Sequence, residues 1–224
     1  MARSNAAART HTVLAGVAAV LALGLIAAAP AAAHPHVWVV AEATLLVENG
    51  AITAIRHRWV FDEGYAKMAV DGLDANADGK FDRGELAELA KVNVEGLKEF
   101  EYFTLPNLGT TKLATGEPTD YFLDHDAKGV LSLHFTLPLA KPVLPDAADF
   151  AITVGDPTSF IDFKFAPVDP VKLGAGAPAG CKAVLATPKA AAADAARLGQ
   201  AFAGEMKGMV SIGLPQEIRI ACGS

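Results

Sequence analysis

Two runs with strand-like composition, residues 37–48 and 51–62, are separated by Asn49-Gly50 alone. An Asn-Gly pair in that position is the strongest short-range signal for a two-residue hairpin turn, because both turn residues must take positive φ and these two do so at little cost. So short a turn also sets the pairing of the strands that leave it. Pairing Glu48 with Ala51 and counting outward predicts Glu42 opposite His57, Val40 opposite Trp59, Trp38 opposite Phe61 and His36 opposite Glu63, all on one face. The second face would set Val37, Val39, Ala41, Ala43, Leu45 and Val47 against a mixed row that includes Arg56, Arg58 and Asp62, so both faces are expected to be partly covered.

Ahead of the hairpin, residues 1–33 have the three parts of a secretory signal peptide: Arg3 and Arg9, an apolar run from Val13 to Ala29, and small residues before a cut expected after Ala33. Pro30 and the small residues suit peptidase recognition better than anchoring, and no later stretch offers about eighteen uninterrupted apolar residues. The expectation is a periplasmic protein with one domain, residues 34–224, that does not insert in the membrane once the signal is gone. Its net charge of −6 becomes more negative when Arg3 and Arg9 leave, which argues against nucleic acid or anionic lipid as a partner and suits cations. Cys181 and Cys222 are the only cysteines; an even count in an exported chain predicts a disulfide, and no CxxC spacing supports a thiolate metal site.

Beyond the hairpin the hydrophobic period changes. Residues 63–72 and 83–100 read as helices around a polar stretch, with Met68, Val70, Leu86, Leu89, Ala90, Val94 and Leu97 as the apolar stripe. Strands are expected at 120–126 and 129–138, joined at Ala127-Lys128, and again at 150–154, 159–165 and 216–222, with a small-residue loop at 174–180. Thr187-Pro188 would cap and open an Ala-rich helix reaching about Lys207. The fold class that results is α+β: antiparallel sheet or sheets, an EF-hand-like helix-loop-helix inserted at about 63–104, and one late helix.

The polar stretch carries the strongest chemical signal. Residues 74–85 place Asp74, Asn76, Asp78, Asp82 and Glu85 at positions 1, 3, 5, 9 and 12 of a calcium loop, with Gly79 at the sharp turn, Lys80 offering its carbonyl and Phe81 at the apolar eighth position. Calcium takes six to eight hard oxygens, and alternate side chains of a tightly wound loop can converge on one point where those of a strand or helix would scatter. A solvated Asp/Asn turn is the competing reading. A lone loop of this kind predicts a structural calcium ion bound in the millimolar range, not a sensor.

His34-Pro35-His36 is the second candidate. Residues two apart on a strand share a face, proline keeps the segment extended, and borderline metals favour imidazole. The counted register adds Glu63, with Asp62 beside it, which would complete a shell for zinc or nickel. A new amino terminus at His34 would also suit a copper site. His57 reads mainly as a buried imidazole satisfied by Glu42 across the strands, with an orienting or alternative metal role as the sharper possibility. Gly-x-Ser-x-Gly, glycine-rich phosphate loops and HExxH are all absent, so the chain does not read as an enzyme.

The run Ala33-His34-Pro35-His36-Val37, the Arg58-Trp59-x-Phe61-Asp62 segment, the Asp-x-Asn-x-Asp-Gly loop, Tyr121-Phe122, Asp156-Pro157 and Cys222 together resemble a family of bacterial periplasmic proteins of unknown function, often described as the periplasmic component of an uncharacterised ABC-type transport system. That resemblance implies work beside a nickel/cobalt-type inner-membrane metal permease, with zinc or nickel as cargo. The expectation is a periplasmic metal-binding accessory protein with a structural calcium loop. The alternative is a calcium-stabilised periplasmic adaptor without transition-metal cargo.

Overall fold

A computed structural model describes residues 36–188 and 216–223. The Asn-Gly hairpin forms as its sequence demands: β1 (Val37–Glu48) and β2 (Ala51–Phe61) flank a turn in which Asn49 and Gly50 have φ of 51° and 78°. The register, however, slips one step from the turn. Val47 still pairs with Ile52, but Leu46 pairs with Ala54, leaving Thr53 unmatched on β2. A bulge adds one residue to one strand only, and with a side-chain period of two it exchanges the faces of everything beyond it.

The counted pairs are therefore replaced by Ala43 with His57, Ala41 with Trp59, Val39 with Phe61 and Glu42 with Arg58. The gain is a clean separation of faces. Val37, Val39, Ala41, Ala43 and Leu45 join Ile55, His57 and Trp59 in the interior, while Trp38, Val40, Glu42, Thr44, Arg56 and Arg58 lie on the outer face.

Helix α1 (Glu63–Val70) follows β2 directly, and α2 (Ala87–Leu97) follows the polar loop and runs into a 3₁₀ turn at Lys98–Phe103. Val70, Leu86, Ala90 and Val94 are buried as the stripe requires. Met68 is not: it is 69% exposed, because Ala66 and Val70, four residues apart, form the buried face of α1 and Met68, two residues from each, lies on the opposite one.

The remaining strands are β3 (Thr104–Leu108), β4 (Thr111–Lys112), β5 (Thr119–His125), β6 (Leu131–Val143), β7 (Phe150–Val154), β8 (Ile161–Phe165), β9 (Val171–Leu173), β10 (Cys181–Ala186) and β11 (Glu217–Cys222). One sheet has the order β5-β6-β2-β1-β8, with β9 also on β1; the other has the order β10-β11-β7-β3-β4. The architecture is α+β and mostly antiparallel, yet β8 and β9 run parallel to β1. Strands β3, β4, β9 and β10 were not foreseen, being short or poor in alternation. Both sheets feed one hydrophobic cluster, in which Trp59, Phe135, Leu137 and Leu45 from the first meet Ile152, Val154 and Ile218 from the second. Cys181 faces Cys222 across β10 and β11, and the two are disulfide-bonded. The late helix expected after Pro188 lies outside the described residues.

Candidate functional site

Asp62 stands where β2 becomes α1, and its position explains its partners. One carboxylate oxygen accepts the Tyr65 N–H at 3.0 Å as a helix N-cap, and the other accepts the Trp38 N–H at 3.0 Å, tying the helix start to β1. These backbone donors hold its pKa below the usual carboxylate range against the opposing effect of partial burial. Asp62→Ala should cost about 1–2 kcal/mol, as for other caps, read by urea denaturation; a loss near zero would show that the cap is idle.

Glu63 points away and pairs with Lys67 Nζ at 2.6 Å, both exposed. His36 instead packs at a tilt against Phe160, with ring centroids 4.9 Å apart, while its backbone N–H bonds the Phe160 carbonyl. The slipped register thus does not bring His36, Asp62 and Glu63 together, and His34 lies outside the described residues. Glu42 likewise does not meet His57; it pairs with Arg58 at 2.7 Å on the opposite face of the sheet.

His57 is fully buried. Thr104 Oγ1 donates to the Tyr102 carbonyl at 2.9 Å, so its lone pair receives Nε2–H of His57 at 3.2 Å, and this network assigns the tautomer. Nδ1 has no partner. The ring stacks on Phe135 at 4.7 Å and meets the edge of Trp59 at 5.6 Å. In these apolar surroundings burial lowers the imidazole pKa from 6.5 to about 3. His57 is a neutral core residue here, bonded through Nε2 to a threonine and not to Glu42.

The loop 74–85 keeps its oxygen-bearing side chains turned onto its own backbone. Asp74 accepts the N–H groups of Asp78 and Gly79 at 3.1 and 2.9 Å, Asn76 that of Asp78 at 2.9 Å, and Asp78 that of Lys80 at 2.8 Å. Asp82 accepts from Gly84 and Glu85 at 2.7 and 3.0 Å, where the chain enters α2. Glu85 reaches back to Ala75 and Asp82, both at 3.0 Å, and closes the loop on itself. Gly79 takes φ of 77°, the left-handed turn its position requires. Among the described residues no group of three His, Cys, Asp or Glu side chains stands ready to hold a metal ion. Nor does any of the four loop carboxylates share an ion pair with a described cation.

The loop is anchored by contacts that leave no local signal in the sequence. Phe81 packs edge-on against His125 at 4.9 Å, and the Arg83 guanidinium lies 3.7 Å over the Phe122 ring, with Asp124 at 4.0 Å. Phe122 in turn stacks on His134 at 4.5 Å, and His134 Nε2 lies 3.1 Å from Ser132 Oγ. Burial and the Arg58 charge nearby lower the His134 pKa. The loop is therefore fastened to β5 by its eighth and tenth residues. The only available signal was Tyr121-Phe122 at the start of a strand, which says nothing of what covers it. Asp156 accepts four donors from Thr158, Phe160 and Ile161 and holds the approach to β8.

A family model described as a protein of unknown function, DUF1007, matches residues 19–222. An uncharacterised 15.5 kDa protein from the trpE 3′ region of Spirochaeta aurantia is 38% identical over 100 residues, which cover 45% of this chain and 70% of that protein. An uncharacterised protein of Haemophilus influenzae is 24% identical over 156 residues, covering 69% of this chain and 74% of its own. No helix among the described residues is long and apolar enough to cross a membrane.

Proposed function

The chain belongs to the DUF1007 family of proteins of unknown function, and from that premise we propose that it is a calcium-clipped periplasmic adaptor, a non-enzymatic protein whose partner is a membrane or envelope protein. The observation that carries the reading is the loop at 74–85. Four carboxylates within twelve residues have no cationic partner among the described residues, although six of the protein's other carboxylates are paired with a lysine or arginine within 3.1 Å. Such a concentration of negative charge repels itself unless a cation joins it, and hard oxygens at alternate positions suit calcium.

Phe81 and Arg83 make the clip matter to the fold. They join the loop to β5, so an ion that stiffens the loop also stiffens the seat of α2 on the first sheet. The disulfide fits an oxidising compartment, which supports export. The zinc or nickel reading is left with His34 and His36 as ligands, since Asp62 and Glu63 already hold other partners. We therefore prefer the adaptor without transition-metal cargo.

Calorimetric titration with calcium is expected to give a Kd on the order of 10⁻⁴–10⁻³ M. At ten times that concentration the protein should gain about 1.4 kcal/mol against urea. Asp78→Ala should abolish both effects while leaving the calcium-free stability nearly unchanged. Identical unfolding curves with calcium and with a chelator would end the proposal.

A further inference from the structure

The 3₁₀ turn that ends α2 holds three consecutive residues in the left-handed region: Glu101, Tyr102 and Phe103, with φ of 53°, 55° and 46°. None is glycine, and two are bulky aromatics buried to 5% exposure. Side chains of this kind avoid positive φ because Cβ crowds the carbonyl oxygen, so the segment persists only because its surroundings hold it. The holding contacts are those of the Tyr102 carbonyl, which accepts the Thr104 hydroxyl, itself bonded to His57.

The strained turn forms one wall of a cleft of about 530 Å³, whose other wall is the segment Lys112–Glu117. Its volume lies within the range of small-ligand sites. Two cation–anion pairs close across it. Lys98 Nζ meets Glu117 at 2.6 Å, and Lys112 meets Glu101; the Tyr102 hydroxyl adds a bond to the second Glu117 oxygen at 3.2 Å.

We propose that this cleft binds a short peptide with both termini free, its ammonium taken by Glu117 or Glu101 and its carboxylate by Lys98 or Lys112. The charges decide the class. Two ammonium and two carboxylate groups sum to zero, so a ligand of a single sign would always face a like charge, whereas a molecule with one of each answers both. Exposed ion pairs are weakly held and trade partners at little cost. The size favours a peptide over a single amino acid: a cleft of about 530 Å³ falls in the range that holds drug-sized ligands. Nothing in this inference depends on calcium in the 74–85 loop.

The test is an amide NMR titration of the purified protein with triglycine, run with chelator present, alongside triglycine acetylated at one end and amidated at the other. Saturable shifts confined to residues 98–104 and 112–117, seen with triglycine and lost with the capped peptide, are the expected result. The conservative pair Lys98→Met and Glu117→Gln, checked for an unchanged fold by the remaining amides, should weaken triglycine binding roughly ten-fold. The proposal falls if the capped peptide shifts the same amides. It falls equally if the folded double variant binds as well as the parent, or if no cleft amide moves at concentrations on the order of 10 mM.

Discussion

Removing the Cys181–Cys222 disulfide is expected to cost about 4 kcal/mol, since in the chain-entropy model the price of closing a loop grows with the logarithm of its length and here the cysteines are 41 residues apart. The bond joins β10 to β11, and among the described residues β10 is the terminal strand of the second sheet, paired with β11. Beta pairing at an edge has no neighbour on its far side, so the covalent link holds what hydrogen bonds alone hold least well. A Cys181→Ser, Cys222→Ser variant compared with the parent by urea denaturation measures the loss. Amide exchange locates it: protection should fall first in β10 and β11, while β1, β2 and β6 keep theirs. Equal midpoints for the two proteins would mean that the sheet edge is secured in some other way.

The second large effect concerns pH. Burial holds the folded-state pKa of His57 at about 3, against 6.5 for the free side chain. Protonation would create an Nδ1–H without an acceptor in a ring packed on Phe135 and Trp59. The unfolded chain takes the proton first, so the stability tied to neutral His57 is complete above pH 6.5 and declines as the pH falls toward 3. Between pH 7 and pH 5 the loss should be about 2 kcal/mol, approaching 4–5 kcal/mol at the acid end of that window.

The carboxylates of Asp62 and Asp126, held low by backbone donors, and of Asp156, held low first by the Thr158 hydroxyl and then by backbone donors, add losses of their own only nearer their ordinary range around pH 4. The interval from pH 7 to 5 therefore isolates histidine, with His134 adding a smaller effect of the same sign. His57→Phe keeps the ring and leaves Thr104 bonded to Tyr102, so it should flatten most of the slope in that interval. A variant whose stability falls with pH as steeply as the parent's would show that His57 is not the group responsible.

What could be read locally was read from local chemistry. Asn49-Gly50 determined the hairpin because the conformation it requires is a property of two residues, and the ends of β1 were legible for the same reason. The spacing of Asp74, Asn76, Asp78, Gly79, Asp82 and Glu85 marked out a wound polar loop between two helices, since turn geometry is likewise local. An even pair of cysteines in a chain with a leader-like start pointed to the disulfide.

The bulge at Thr53 was a different matter. It pays off only when the row from Val37 to Leu45 meets His57, Trp59 and the second sheet, and no residue near Thr53 announces it. That one step reversed the faces of the hairpin, parted Glu42 from His57 and His36 from Glu63, and replaced a counted metal shell with a helix cap, a surface pair and a tilted aromatic contact. The left-handed run at Glu101, Tyr102 and Phe103 was equally silent, because each of those residues alone prefers another conformation and they are held by contacts distant in the chain, among them His57, Lys112, Glu117 and the Gly155 N–H on the Phe103 carbonyl. Sequence by itself determined the turns, the loop and the covalent link, whose energies are set within a few residues. Tertiary structure alone decided which side chains meet, because that depends on the burial shared by strands far apart in the chain.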